Sequence, residues 1–167
     1  MQLLELMLGI KKNLMKNTNK IVWITGASSG IGAELAKIYS HRGIKLILSS
    51  RNVRALERVK SECYYPENIK ILPIDLNDFY AAPALVKKAY NIFGRIDILI
   101  NNAGVSQRSL IVDTQFDVLK KLIEINYLGT VALSRALLPF FLKQGFGHYV
   151  VVSSVMGKYG SPFRSGY

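Results

Sequence analysis

Ile21-Val22-Trp23-Ile24-Thr25-Gly26-Ala27-Ser28-Ser29-Gly30-Ile31-Gly32 is the stretch on which the reading of this 167-residue chain turns. Its first residues form an unbroken apolar run, the pattern of a strand covered on both faces of a parallel sheet. Glycines spaced G-x-x-x-G-x-G follow, and from Ile31 apolar residues recur three and four apart, as on one face of a helix. Glycine lets a chain turn sharply and come close to a pyrophosphate, while the N–H groups at the positive end of the next helix attract its charge. Gly26, Ser28, Ser29, Gly30, Ile31 and Gly32 are therefore candidate phosphate-cradle residues. The spacing is not G-x-G-x-x-G, so the turn taken alone leaves two readings open: a cradle, or an ordinary glycine-rich strand-to-helix turn.

Outward from this turn, β-type and α-type patterns alternate. Candidate strands fall at residues 21–25, 45–50, 70–75, 97–101 and 148–153, and candidate helices at 31–42, 53–63, 81–93 and 116–143. This alternation predicts right-handed crossovers and an α/β fold: a Rossmann-like, doubly wound parallel sheet in three α/β/α layers, incomplete at the C-terminus. Residues 157–167, with Gly157, Gly160, Pro162 and Gly166, read as a loop.

Composition narrows the function classes. Hydrophobic residues make up 50% and charged residues 20%, which is a globular balance. The net charge of +11 is spread over single lysines and arginines, with only Lys11-Lys12, Lys87-Lys88 and Lys120-Lys121 as doublets. Nucleic-acid binding expects a clustered basic patch and is disfavoured. Cys63 is the only cysteine, so there is no intrachain disulfide and no Cys/His spacing for a metal; a reducing, cytoplasmic setting is expected. Residues 1–19 open with a short apolar run interrupted by Glu5 and followed by lysines, too short to span a bilayer and wrongly flanked for a secretory signal. They read as an extension or as a weakly amphipathic surface segment, the second leaving a weakly supported membrane association, in front of a dinucleotide-binding domain at 20–167.

Several further motifs follow in order: Asn101-Asn102-Ala103-Gly104 after the fourth strand, Ile125-Asn126-Tyr127-Leu128-Gly129-Thr130 within the long helix, Val152-Ser153-Ser154 closing the fifth strand, and Tyr167. With Thr25-Gly26-x-x-x-Gly30-Ile31-Gly32, they make the chain from about Lys20 onward resemble the short-chain dehydrogenase/reductase family. The resemblance implies a nicotinamide nucleotide held by the glycine turn and by Asn102, Ala103 and Gly104. It also implies an active-site asparagine at Asn126, a catalytic serine at Ser154 and a catalytic tyrosine at Tyr167. Asp75, followed by Leu76, resembles the aspartate with which the family contacts the adenine ring; as residues alone, Asp75 and Asp78 could each cap the next helix.

The end of the second strand bears on cofactor choice. An acidic residue there would bind a free ribose 2′-hydroxyl and favour NAD(H). This sequence has Ser50 and then Arg51, whose guanidinium can pair with a 2′-phosphate, so NADP(H) is favoured over NAD(H); the plainer alternative makes Arg51 a solvated residue near a helix start. Interconverting an alcohol with a ketone or aldehyde needs hydride transfer at carbon, a hydrogen bond to the oxygen and a proton. Ser154 and Tyr167 suit the last two. A free tyrosine has a pKa of about 10, so the phenol needs positive charge nearby. The family supplies it with a lysine four residues on, and Lys158 lies on the wrong side of the tyrosine to replace it. The chain is thus expected to be truncated at the catalytic tyrosine and inactive alone, its full-length parent a homodimer or homotetramer acting on a small carbonyl or alcohol substrate. Trp23 reads as core, His41 and His148 as surface or strand residues, and Leu137-Leu138 and Phe140-Phe141 as packing on the sheet or on a second subunit. A rival of another class is a catalytically inactive dinucleotide- or partner-binding module.

Overall fold

The computed structural model describes residues 19–164 and Gly166. The expected extension, apart from Asn19, and the expected catalytic Tyr167 lie outside the described residues. Strands β1 (Ile21–Thr25), β2 (Lys45–Ser49), β3 (Ile69–Ile71), β4 (Ile98–Asn101) and β5 (His148–Val151) form one parallel sheet in the order β3-β2-β1-β4-β5. Between them run helices α1 (Gly30–Ser40), α2 (Val53–Ser61), α3 (Ala82–Phe93), α4 (Phe116–Ile123) and α5 (Thr130–Gln144).

Alternation along β1 builds a core on each side of the sheet. Val22 and Ile24 pack with Ala33 and Ala36 of α1 and with Leu56 and Val59 of α2. Ile21 and Trp23 pack on the opposite face with Val86 and Ala89 of α3 and Leu133, Leu137 and Phe141 of α5. The sheet is therefore doubly wound, as its alternating pattern predicts. The strand order reverses at β1, between β2 and β4, and a parallel sheet leaves a crevice beyond the carboxyl ends of its strands at such a point. Trp23 is fully buried, and its indole Nε1 donates to Ser49 Oγ at 2.8 Å. His41 is exposed and stacks on Tyr64, and His148 is exposed at the start of β5.

Three elements differ from expectation. β3 stops at Ile71 instead of reaching Asp75. The chain still runs beside β2, with Leu72 N–H donating to Leu48 O and Ile74 N–H to Ser50 O, and Pro73 between them sits where its missing N–H would face away from β2. β5 ends at Val151 and is not covered on both faces: it is the edge strand among the described residues, and Val151 is exposed. The long helix is not continuous α. It passes through a π-turn, Glu124–Gly129, between α4 and α5. By length and hydropathy the whole run Phe116–Gln144 could cross a membrane, yet Leu133, Leu137 and Phe141 on one face belong to the core.

Candidate cofactor and catalytic site

The turn after β1 is shaped by glycines with different duties. Gly26 has φ +65°, and a Cβ there would lie 2.7 Å from Ala103 Cα. Gly30 has φ +53° and open space where a side chain would stand. Gly32 packs: a Cβ would meet Gly26 O at 2.4 Å and Asn102 Nδ2 at 2.6 Å. Ser29 occupies the N-cap position of α1 but makes no capping hydrogen bond, and the first turn of the helix contains no acidic residue. The amides of that turn are thus left without a side-chain acceptor, the condition under which a helix start binds phosphate.

A clasp from β4 holds the turn. Thr25 is fully buried, and its Oγ1 accepts N–H bonds from Asn102 and Ala103, both at 3.1 Å, while donating to Ile100 O. Asn102 Nδ2 donates in return to Thr25 O at 3.0 Å and Gly26 O at 3.3 Å. The Asn102 side chain therefore acts by fixing the glycine turn. Asn101 reaches the other way, its Nδ2 donating to Ser134 Oγ on α5; Tyr149 Oη donates to Ser134 O, and burial pushes the Tyr149 phenol pKa up.

Beyond the carboxyl ends of β1, β2 and β4 lies a cavity of about 530 Å³. Gly26, Ser28, Ser29 and Ile31 form one wall, Asn102, Ala103 and Gly104 a second, and Ser50, Arg51, Asp75 and Leu76 a third. The expected cofactor residues thus converge, with two exceptions: Gly30 and Gly32 shape the turn and do not line the cavity. Ser50 Oγ accepts from Asn52 N–H at 3.1 Å, and Asn52 Oδ1 caps α2 through Ala55 N–H. Arg51 is exposed and has no hydrogen-bond or ion-pair partner among the described residues. Asp75 does not close a strand. It sits in the loop after Pro73 and accepts from Asn77 N–H, whereas Asp78 caps the next helical turn through Ala81 N–H. The open space at Gly30, the uncapped helix start and the size of the cavity fit a dinucleotide. The glycine turn and the Asn102–Gly104 wall would hold its pyrophosphate side, and Arg51 and Leu76 its adenosine side.

Asn126 lies in the π-turn and spends both ends of its amide on one backbone unit: Oδ1 accepts from Val105 N–H at 2.8 Å, and Nδ2 donates to Val105 O at 2.9 Å. Ser154 follows β5 and starts a short 3₁₀ turn; its Oγ accepts from Met156 N–H at 3.2 Å, leaving its own hydrogen without an acceptor among the described residues. Neither residue lines the nucleotide cavity itself. The loops after β4 and β5 are joined, since Ser109 N–H donates to Phe163 O at 3.1 Å and Arg164 bonds Ser106 Oγ.

The model of the short chain dehydrogenase family matches residues 20–167. The chain belongs to that family. Among its relatives, human "Dehydrogenase/reductase SDR family member 7" is 49% identical over 155 residues, covering 90% of this chain and 46% of that protein. Mouse "Dehydrogenase/reductase SDR family member 7B" is 44% identical over 154 residues, covering 89% and 48%. This chain spans about half the length of these relatives. Among solved structures, ElxO with NADP bound superposes with a TM-score of 0.82 at 31% identity, over 89% of this chain and 60% of that one. An alcohol dehydrogenase from the archaeon Thermococcus sibiricus, complexed with 5-hydroxy-NADP, gives 0.80 at 28%, over 89% and 63%.

Sequence reasoning missed three residues of the cavity wall, Asn52, Ile74 and Ile125; Val105 belongs to the segment 105–112 that it gives to the wall of the substrate pocket. Each of the three neighbours an expected residue, and extending every motif by one position would have found them. Thr25 was read only as part of the turn motif. Its task as acceptor for two N–H groups of a segment 77 and 78 residues away has no local signal.

Proposed function

We propose that this short-chain dehydrogenase uses NADP(H) to interconvert an alcohol with a ketone or aldehyde. The observation that carries the cofactor choice is the third wall of the cavity, where β2 delivers Ser50, Arg51 and Asn52 with no carboxylate at the strand end and a guanidinium that has no partner among the described residues. A free guanidinium suits a 2′-phosphate, and a charge-assisted pair of this kind contributes about 1.5–3 kcal/mol. NADP in ElxO and 5-hydroxy-NADP in the archaeal enzyme lend support from proteins with the same fold.

When bound, the nicotinamide supplies or takes up hydride at carbon. The protein's own share is to hold the oxygen and move the proton. Ser154, with its oxygen engaged by Met156 N–H, has a hydroxyl hydrogen to offer the substrate oxygen. Tyr167 would exchange the proton, given a positive charge to stabilise its phenolate. Val105 in the cavity wall, with Leu110, Ile111, Val155 and Phe163 exposed on the two joined loops, favours an apolar substrate. Along the long helix Ile123, Tyr127, Val131, Leu138 and Leu142 are exposed on the side away from the core, and a second copy of the protein is the proposed cover for that stripe. The buried, unpaired Cys63 suits a reducing, cytoplasmic setting.

The test is an assay of NADPH oxidation by the full-length parent against a panel of apolar ketones and aldehydes, with Ser154→Ala alongside. Turnover that falls about 10²–10³-fold in the variant at unchanged NADPH affinity is expected. Tight NADPH binding with no turnover of any carbonyl would instead support a binding module.

A further inference from the structure

The π-turn Glu124–Gly129 meets the walls of the cavity at two separated places. Near its start, Ile125 lines the cavity and Asn126 grips Val105 through both of its amide groups. At its end, Gly129 rests against Leu76. A Cβ at position 129 would stand 2.7 Å from Leu76 O and 2.8 Å from Leu76 Cβ. Such distances lie well inside van der Waals contact, and the obstacle is backbone that cannot swing aside. Gly129 has φ −61° and ψ −44°, ordinary helical values that alanine adopts more readily than glycine. The close approach, not the conformation, is what calls for glycine here.

Leu76 is nearly buried and lines the cavity with Ile74 and Asp75, on the wall that the segment Ser50, Arg51 and Asn52 leaving β2 also forms. The 74–76 segment lies beyond the end of β3, and its last backbone tie to the sheet is Ile74 N–H to Ser50 O at 3.2 Å. With so little pairing of its own, its position depends on what packs behind it: the core that Ile74 and Leu76 share with Ala82, Val86 and Ile125, and, in closest approach to Leu76, Gly129. We infer that Gly129 is a positioning residue for the cofactor: by letting the long helix seat directly on Leu76, it sets the width of the end of the cavity that takes the phosphorylated adenosine. The inference rests on the NADP(H) reading above. It also gives the π-turn a structural task, since one short segment references both the Val105 wall and the Leu76 wall to the same helix.

Titrations of the wild-type protein and Gly129→Ala with NADPH and with 2′,5′-ADP, which carries only the phosphorylated adenosine half, test it. A methyl group forced against Leu76 narrows that end, so both Kd values rise by the same factor, about tenfold, and their ratio stays fixed. A folded variant that binds 2′,5′-ADP as the wild type does overturns the inference. So does a loss for NADPH well beyond that for 2′,5′-ADP, because the effect would then lie outside the adenosine end. If Gly129→Ala does not fold, Leu76→Gly, which removes the Cβ that Gly129 backs and leaves the glycine in place, decides: equal losses for 2′,5′-ADP and NADPH support the contact, and unchanged 2′,5′-ADP binding overturns it. A wild-type protein that binds neither ligand refutes the NADP(H) reading itself, whereas a wild type that binds both leaves the variant to judge Gly129 alone.

Discussion

The turn after β1 and the loop after β5 leave the same edge of one sheet, yet they are built on opposite terms. The first is clasped from a distant part of the chain: Thr25, Gly26 and Gly32 interlock with Asn102 and Ala103 through four hydrogen bonds and contacts closer than a Cβ would allow. The second carries Ser154 and is held to the rest by Ser109 N–H on Phe163 O and by Arg164 on Ser106, while Val155, Tyr159 and Phe163 stand exposed. The proposed nucleotide half of the site is closely interlocked, which suits a ligand group of one fixed shape such as a pyrophosphate. The substrate half is tied at few points, as loops that carry specificity commonly are.

Glycine substitutions are the sharpest way to break this contrast. Gly32→Ala puts a methyl group onto Gly26 O and Asn102 Nδ2, so it should both destabilise the fold and lower NADPH affinity about a hundredfold or more, read by melting and by fluorescence titration. Thr25→Val keeps the shape of the side chain but removes the acceptor for Asn102 N–H and Ala103 N–H. A loss of about 2 kcal/mol is expected, which for a chain of this length is a fall in Tm of about 4–8 °C. Gly160→Ala in the other loop meets nothing within 4 Å and should change stability by less than about 0.5 kcal/mol, leaving NADPH affinity as it was. Equal effects of Gly32→Ala and Gly160→Ala would erase the distinction between the two regions.

What could be read from the sequence follows the same division. Strands β1 and β4, the glycine turn and the Asn101–Gly104 motif were legible because buried parallel strands are apolar throughout and glycine marks close backbone approach. β3 was overextended because its apolar pattern runs past Pro73; backbone bonds to β2 continue as far as Ile74, but the regular strand ends at Ile71. The π-turn escaped notice because Glu124–Gly129 keeps the spacing of apolar residues that an α-helix would show; its causes, the grip of Asn126 on Val105 and the seat of Gly129 on Leu76, are contacts between residues far apart in the chain. Asn102 shows a subtler limit. The sequence placed it at the cofactor, and it does line the cavity, but its amide is committed to Thr25 O and Gly26 O, a partnership only the fold creates.

The uncapped start of α1 and Arg51, which has no partner among the described residues, are proposed to receive a phosphorylated dinucleotide together, and comparing NADPH and NADH binding in the wild-type protein and in Arg51→Ala tests this most directly. NADPH is expected to bind the wild type about tenfold or more tightly than NADH, and the variant to lose this preference while its NADH affinity stays put. Equal affinities in the wild type, or a preference for NADPH that survives the loss of Arg51, would contradict it.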